Sequence, residues 1–127
     1  MIKFLVVDDE KGVVAELKEL LEMRDYKVYS ATSGEEALSI MKKENPNIVV
    51  LDILMPGMDG IEVLRQIKKT HPKTRVIMLT AVEDEGMKKM TTSLGASGYL
   101  TKPYSFEEVV GISRKIINDI CREEGIK

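Results

Sequence analysis

Four of the five short apolar runs in this chain stop at a residue able to do chemistry. The run Phe4 to Val7 ends at Asp8-Asp9, Ile48 to Leu51 ends at Asp52, Val76 to Leu79 ends at Thr80, and the run through Tyr99 and Leu100 ends at Thr101-Lys102-Pro103. The runs are β-branched or leucine-rich and largely free of polar alternation, the pattern of strands covered on both faces. Strands are therefore expected at Lys3 to Val7, Lys27 to Ala31, Ile48 to Leu51, Arg75 to Leu79 and Gly98 to Leu100, alternating with helices. In a parallel sheet every C-terminal strand end lies on one edge, where open α/β sheets bind ligands. Asp8, Asp9, Asp52, Thr80 and Lys102 are thereby expected at a single shallow site.

The helical segments carry their own start signals. Between Lys11 and Arg24, Val13, Val14, Leu17, Leu20 and Leu21 form one apolar stripe, and Glu16, Lys18, Glu19 and Glu22 face away. Ser33-Gly-Glu-Glu36 and Ser105-Phe-Glu-Glu108 have the capping-box pattern, and Asp59-Gly-Ile-Glu62 is an aspartate-led version of it. They predict helices over about 34–44, 60–70 and 106–121. The segment 84–94 is expected to be the weakest helix, because Gly86, Thr91, Thr92 and Ser93 are mediocre or poor helix formers. Ile112 and Ile116 lie at one margin of the last helix's apolar stripe, one expected at the core edge and the other exposed.

With 127 residues, 43% of them apolar, the chain suits one compact domain. That domain is expected over 1–121, with a charged C-terminal tail over 122–127. A balance of 19 basic against 21 acidic residues gives a net charge of −2, which argues against direct nucleic-acid binding. The lone Cys121 cannot form an internal disulfide, and no segment has the length of a signal-peptide core or a membrane span. A cytoplasmic location follows as the expectation.

Carboxylates gathered at one sheet edge repel one another and raise one another's pKa unless a cation screens them. Oxygen donors without thiol or histidine, leaving coordination positions for water and substrate, suit Mg2+ better than zinc or a caged calcium. Bound Mg2+ makes phosphate the expected substrate class, and a carboxylate such as Asp52 is an established covalent phosphoryl acceptor. Singly, each residue has a plainer explanation. Asp8-Asp9 before a helix would serve as N-cap charge, Asp52 and Thr80 as strand ends, and Tyr99 as a half-buried sheet residue. Their occurrence together with Lys102 favours a site.

The stretches Asp8-Asp9, Leu51-Asp52-Ile-Leu-Met-Pro-Gly-Met-Asp-Gly60, Thr80-Ala81 and Gly95-Ala-Ser-Gly-Tyr-Leu-Thr-Lys-Pro103 resemble the receiver domains of two-component response regulators, over essentially the whole chain. The resemblance implies a flavodoxin-like doubly wound (βα)5 fold, with five parallel strands in the order 2-1-3-4-5 and helices on both faces. It implies phosphorylation of Asp52 by a histidine kinase or histidine phosphotransfer protein, with Mg2+ held by Asp8, Asp9, Asp52 and the Leu54 backbone carbonyl. Lys102 would contact a phosphoryl oxygen, Thr80 would donate to another, and small Ala81 would keep the approach open. Tyr99 would turn inward and change the surface of the fourth helix, fifth strand and fifth helix, and a cis Lys102-Pro103 bond is also implied. Such a chain is a signalling switch that catalyses only its own phosphorylation and dephosphorylation, not an enzyme toward other substrates.

Leu54 and Val82 stand where residues of the resembling family influence attack of water on the phosphoryl group. Both are apolar, so a long-lived phosphorylated form is expected. A Mg2+-dependent aspartyl-phosphate phosphohydrolase of the haloacid-dehalogenase type is an alternative, but it calls for an aspartate at the place of Leu54. A flavodoxin-like cofactor binder calls for a hydroxyl- and glycine-rich anion loop where Asp8-Asp9-Glu10 stands. The downstream target is open: a stand-alone output, a relay intermediate without output of its own, and a receiver from a longer regulator all suit the sequence, as does a homodimer formed on phosphorylation.

Overall fold

Strand and helix alternate five times from end to end in a computed structural model that describes residues 2–125. The elements are β1 (Lys3–Val7), α1 (Lys11–Glu22), β2 (Lys27–Ala31), α2 (Gly34–Glu44), β3 (Ile48–Leu51), α3 (Gly60–Thr70), β4 (Arg75–Thr80), α4 (Glu85–Ser93), β5 (Gly98–Thr101) and α5 (Phe106–Glu123). All strand pairs are parallel, in the order β2-β1-β3-β4-β5. The expected doubly wound sheet is the one observed.

Alternation along each strand divides the apolar residues between two cores. Leu5, Val7, Val49, Leu51, Val76 and Met78 face a layer that includes Ala37 and Met41 of α2 and Val63, Leu64 and Ile67 of α3. Phe4, Val6, Ile48, Val50, Ile77 and Leu79 face Val14, Leu17 and Leu21 of α1 and Val109, Ile116 and Ile120 of α5. This two-sided burial explains why the inner strands β1, β3 and β4 are apolar between their ends, while the edge strand β2 carries Lys27 and Ser30.

All three caps form as the sequence predicts, but the full box closes at only one of them. Ser105 and Glu108 make the full reciprocal box. At α2 the box is offset: Ser33 caps the Glu36 N–H, while the Glu36 carboxylate accepts from the Thr32 N–H at 2.7 Å. Asp59 caps the Glu62 N–H at 3.0 Å, but Glu62 turns to Gln66. α4 is a short helix that buries only Thr91, and its Thr91, Thr92 and Ser93 hydroxyls bond back to helix carbonyls, a habit that weakens helices.

Three expectations are corrected. α1 stops at Glu22 instead of Arg24, because the chain turns through Asp25 at φ 66°. α5 runs past residue 121 to Glu123, whose carboxylate pairs with Arg75 at the start of β4. The expected tail from Arg122 thus begins inside α5, and its last residues, Ile126 and Lys127, lie outside the described residues. Neither Ile112 nor Ile116 is exposed: Ile116 belongs to the core, and Ile112 is half-buried over Gly98, whose missing side chain makes room for it.

Ser113 on the buried face of α5 holds a hydroxyl with no hydrogen-bond partner among the described residues. Leaving such a group unpaired costs about 1 kcal/mol or more. Ser113→Ala is therefore expected to raise the thermal midpoint in a calorimetric scan; an unchanged or lowered midpoint would contradict this account of the α5 packing.

Candidate functional site

β1 and β3 are neighbours at the point where the strand order reverses, and Val7 is in register with Leu51. The next residues, Asp8 and Asp52, therefore emerge side by side at the C-terminal edge, and the Asp52 N–H donates to the Val7 carbonyl at 3.0 Å. Both are buried, at 2% and 5% exposure, which is a costly place for two carboxylates. Lys102, just past β5, meets that cost. Its Nζ donates to Asp8 Oδ2 at 2.8 Å, to Asp52 Oδ2 at 3.3 Å and to Glu10 Oε1 at 3.3 Å.

The loops are built to hold this geometry. The Lys102 N–H donates to the Thr80 carbonyl at 2.8 Å, tying the end of β5 to that of β4, and the Lys102-Pro103 peptide bond is cis. Asp8 Oδ1 accepts from the Glu10 N–H at 2.9 Å, and Asp52 Oδ1 accepts from the Leu54 N–H at 3.3 Å. Gly60 opens α3 so close to the Asp52 and Ile53 backbone that any side chain there would overlap it. The helix start is thereby pressed against the segment that carries Asp52.

The electrostatics follow from this burial. Burial is the main influence raising the Asp8 pKa above the usual carboxylate range, and the Asp52 charge adds to it, while the bonds from Lys102 and the Glu10 N–H oppose it. For Lys102, burial acts to lower the pKa, but the Asp8 hydrogen bond and the charges of Asp52 and Asp8 outweigh it and hold the ammonium above its ordinary range. Carboxylate oxygens of Asp8, Glu10 and Asp52 lie within 4.8 Å of one another. This all-oxygen set fits a hard divalent cation and could bind Mg2+.

Not every expected residue lies in the cluster. Asp9 is exposed and is not among the three grouped carboxylates; Glu10 is, although the sequence singled it out only as a charge unfriendly to bare phosphate. Thr80 is fully buried, and its hydroxyl accepts from the Val82 N–H at 3.3 Å. Tyr99 is half-buried and donates its hydroxyl to the Val82 carbonyl at 2.6 Å, bracing the β4–α4 loop. Burial, and then the charges of Asp84 and Asp52, push the Tyr99 phenol pKa up. Ala81 and Leu54 are exposed and Val82 is half-buried. A separate cavity of about 580 Å³, lined in part by Pro46, His71, Pro72 and Ile120, sits at the opposite strand edge.

The model of the response regulator receiver domain family matches residues 4–114. The chain belongs to the response regulator receiver domains. It is 44% identical over 107 residues to the alkaline phosphatase synthesis transcriptional regulatory protein PhoP of Bacillus subtilis, covering 84% of this chain and 45% of that one. The chain thus spans about half the length of that curated relative. Among solved structures, the BeF3-activated DrrB receiver domain superposes with a TM-score of 0.86 at 33% identity, over 93% of this chain and 98% of that one. A receiver domain protein from Clostridium thermocellum superposes with a TM-score of 0.88 at 33% identity, over 94% of this chain and 96% of that one. As a receiver domain of a two-component system, the chain is a signalling domain, and its class interacts with phosphodonors such as histidine kinases. No helix among the described residues is long and apolar enough to cross a membrane.

Removing one member of a buried ion cluster leaves the others uncompensated. Lys102→Met is expected to destabilise the metal-free receiver domain by about 2 kcal/mol or more, read as a lower urea midpoint in EDTA. An unchanged midpoint would mean that the ammonium does not offset the Asp8 and Asp52 charges.

Proposed function

We propose that this receiver domain is a phosphorylation-activated switch in which Asp52 accepts a phosphoryl group from a phosphohistidine of a histidine kinase or histidine phosphotransfer protein. The observation that carries this reading is the Lys102 ammonium held between Asp8 and Asp52 at the sheet's C-terminal edge. An Asp52 oxygen forms the new bond to phosphorus while the P–N bond breaks, and the imidazole leaves with the electron pair. Lys102, already charged and aimed at Asp52, stabilises the phosphoryl oxygens as charge spreads over them.

Mg2+ would be held by Asp8, Asp9, Asp52 and the Leu54 carbonyl, and when bound supplies the positive charge that the transferring phosphoryl group needs. Asp9 joins by turning its exposed side chain toward the site. Thr80 donates its hydroxyl to a phosphoryl oxygen, exchanging its contact with the Val82 N–H, and exposed Ala81 leaves the approach free. That exchange moves the loop that Tyr99 braces and so reaches the surface of α4, β5 and α5. The scarcity of buried residues in α4 suits an element that shifts at low cost.

Apolar Leu54 and Val82 give no side chain to orient an attacking water, so the phosphorylated form persists. The same Leu54 counts against a phosphohydrolase, which would need an acid-base there, and the switch therefore acts on no substrate beyond its own phosphoryl group. Its output passes through a protein partner, or onward along a phosphorelay, in the cytoplasm. Dimerisation through the α4 and α5 surface would be one consequence of phosphorylation.

Intact-mass analysis after incubation with acetyl phosphate tests this reading. Wild-type protein with Mg2+ is expected to gain one phosphoryl group that survives removal of the donor for minutes, and Asp52→Asn, or wild type in EDTA, is expected to gain none. No adduct on folded wild type, or an equal adduct on Asp52→Asn, would overturn the assignment of Asp52. Loss of the label within seconds would overturn the roles of Leu54 and Val82.

A further inference from the structure

Glu10 occupies the N-cap position of α1, yet its side chain caps nothing. Glutamate is not among the favoured N-cap residues, so α1 begins without the support that Ser33, Asp59 and Ser105 give to α2, α3 and α5. The Glu10 carboxylate instead reaches over the strand edge to Lys102 at 3.3 Å. Unlike Asp8 and Asp52, whose side chains are 3% and 6% exposed, the Glu10 side chain is 65% exposed. A third negative charge therefore sits on the solvent side of the lysine, within 4.8 Å of the Asp52 and Asp8 oxygens.

We propose that Glu10 is a specificity-determining residue that sets which phosphodonors reach Asp52. The inference rests on Asp52 as the phosphoacceptor. A phosphoryl group in place to react with Asp52 lies within a few ångströms of the Glu10 carboxylate. A small free donor brings only negative charge there and is repelled, and Glu10 also draws on the Lys102 charge that would attract it. A protein donor carrying a cationic side chain beside its phosphohistidine pairs that side chain with Glu10 and loses the penalty. Glu10 thus slows phosphorylation by small anionic metabolites while leaving the protein route open.

The test compares two small donors on wild type, Glu10→Gln and Glu10→Asp, each with saturating Mg2+. With acetyl phosphate, a dianion, the bond from phosphorus to the acetate oxygen breaks, acetate leaves with the electron pair, and an Asp52 oxygen takes the phosphoryl group. With phosphoramidate, a monoanion already protonated on nitrogen, the P–N bond breaks and ammonia leaves. Removing one charge at this range is expected to raise the second-order rate of Glu10→Gln with acetyl phosphate by about three- to tenfold. The increase is expected to be smaller with phosphoramidate and to shrink as ionic strength rises. Glu10→Asp keeps the charge, so its rate is expected to lie below that of Glu10→Gln with acetyl phosphate. Glu10→Ser, uncharged and a better helix cap, gives a second neutral variant and is expected to match Glu10→Gln in rate.

An unchanged or slower rate for Glu10→Gln and Glu10→Ser would overturn the proposal. So would an acceleration equal for both donors and insensitive to salt, or one that Glu10→Asp shares, because the effect would then not be charge. Adduct formation by wild type but not by Asp52→Asn, with no Glu10 effect, would sink this inference and leave the switch intact. No adduct on wild type with either donor would overturn the phosphoacceptor reading and this inference with it.

Discussion

Two carboxylates on adjacent central strands, both almost out of contact with water, are costly to bury unless a cation lies beside them. Lys102 supplies one through direct bonds to Asp8 and Asp52. Much of the upper edge is arranged around this demand. The register of β1 with β3 puts the two aspartates side by side, the Thr80 carbonyl fixes where the β5 end delivers the lysine, and Gly60 lets α3 press against the Asp52 segment. The result is a site charged in advance, and on the proposed reading an arriving cation and phosphoryl group would substitute for contacts that already exist.

That substitution would tie chemistry to shape. When charge arrives at Asp52, the groups with reason to move are those whose present partners lie in the β4–α4 loop: the Thr80 hydroxyl on the Val82 N–H and the Tyr99 hydroxyl on the Val82 carbonyl. Val82 is thus held from both sides by Thr80 and Tyr99, the two residues proposed to connect the site to the α4, β5 and α5 surface. The helix beyond that loop buries only Thr91, so the proposed connection would end at an element that contributes little to the core.

Much of the fold was legible in the sequence because the inner strands are buried on both faces and the apolar runs stop at or within one residue of the strand ends. The Ser33, Asp59 and Ser105 caps located three helices to within a residue at their starts. What escaped depends on long side chains meeting across the fold. Glu10 joins the cluster by bending over to a lysine 92 residues away, which no local periodicity encodes. α5 outlasts its expected end by two residues, the last of them, Glu123, pairing with Arg75, and Ile112 is half-covered because Gly98 leaves a gap beneath it. Asp9, adjacent to Asp8 in sequence and chemically identical to it, is exposed where Asp8 is buried, since neighbouring residues at a strand end face different surroundings.

Titration calorimetry of Mg2+ into the wild-type protein and Asp8→Asn tests most directly whether the carboxylate cluster is a cation site. The account predicts one saturable ion per wild-type chain and an affinity weakened by about tenfold or more in Asp8→Asn. Absence of saturable binding to wild type, or equal binding by the two proteins, would contradict it.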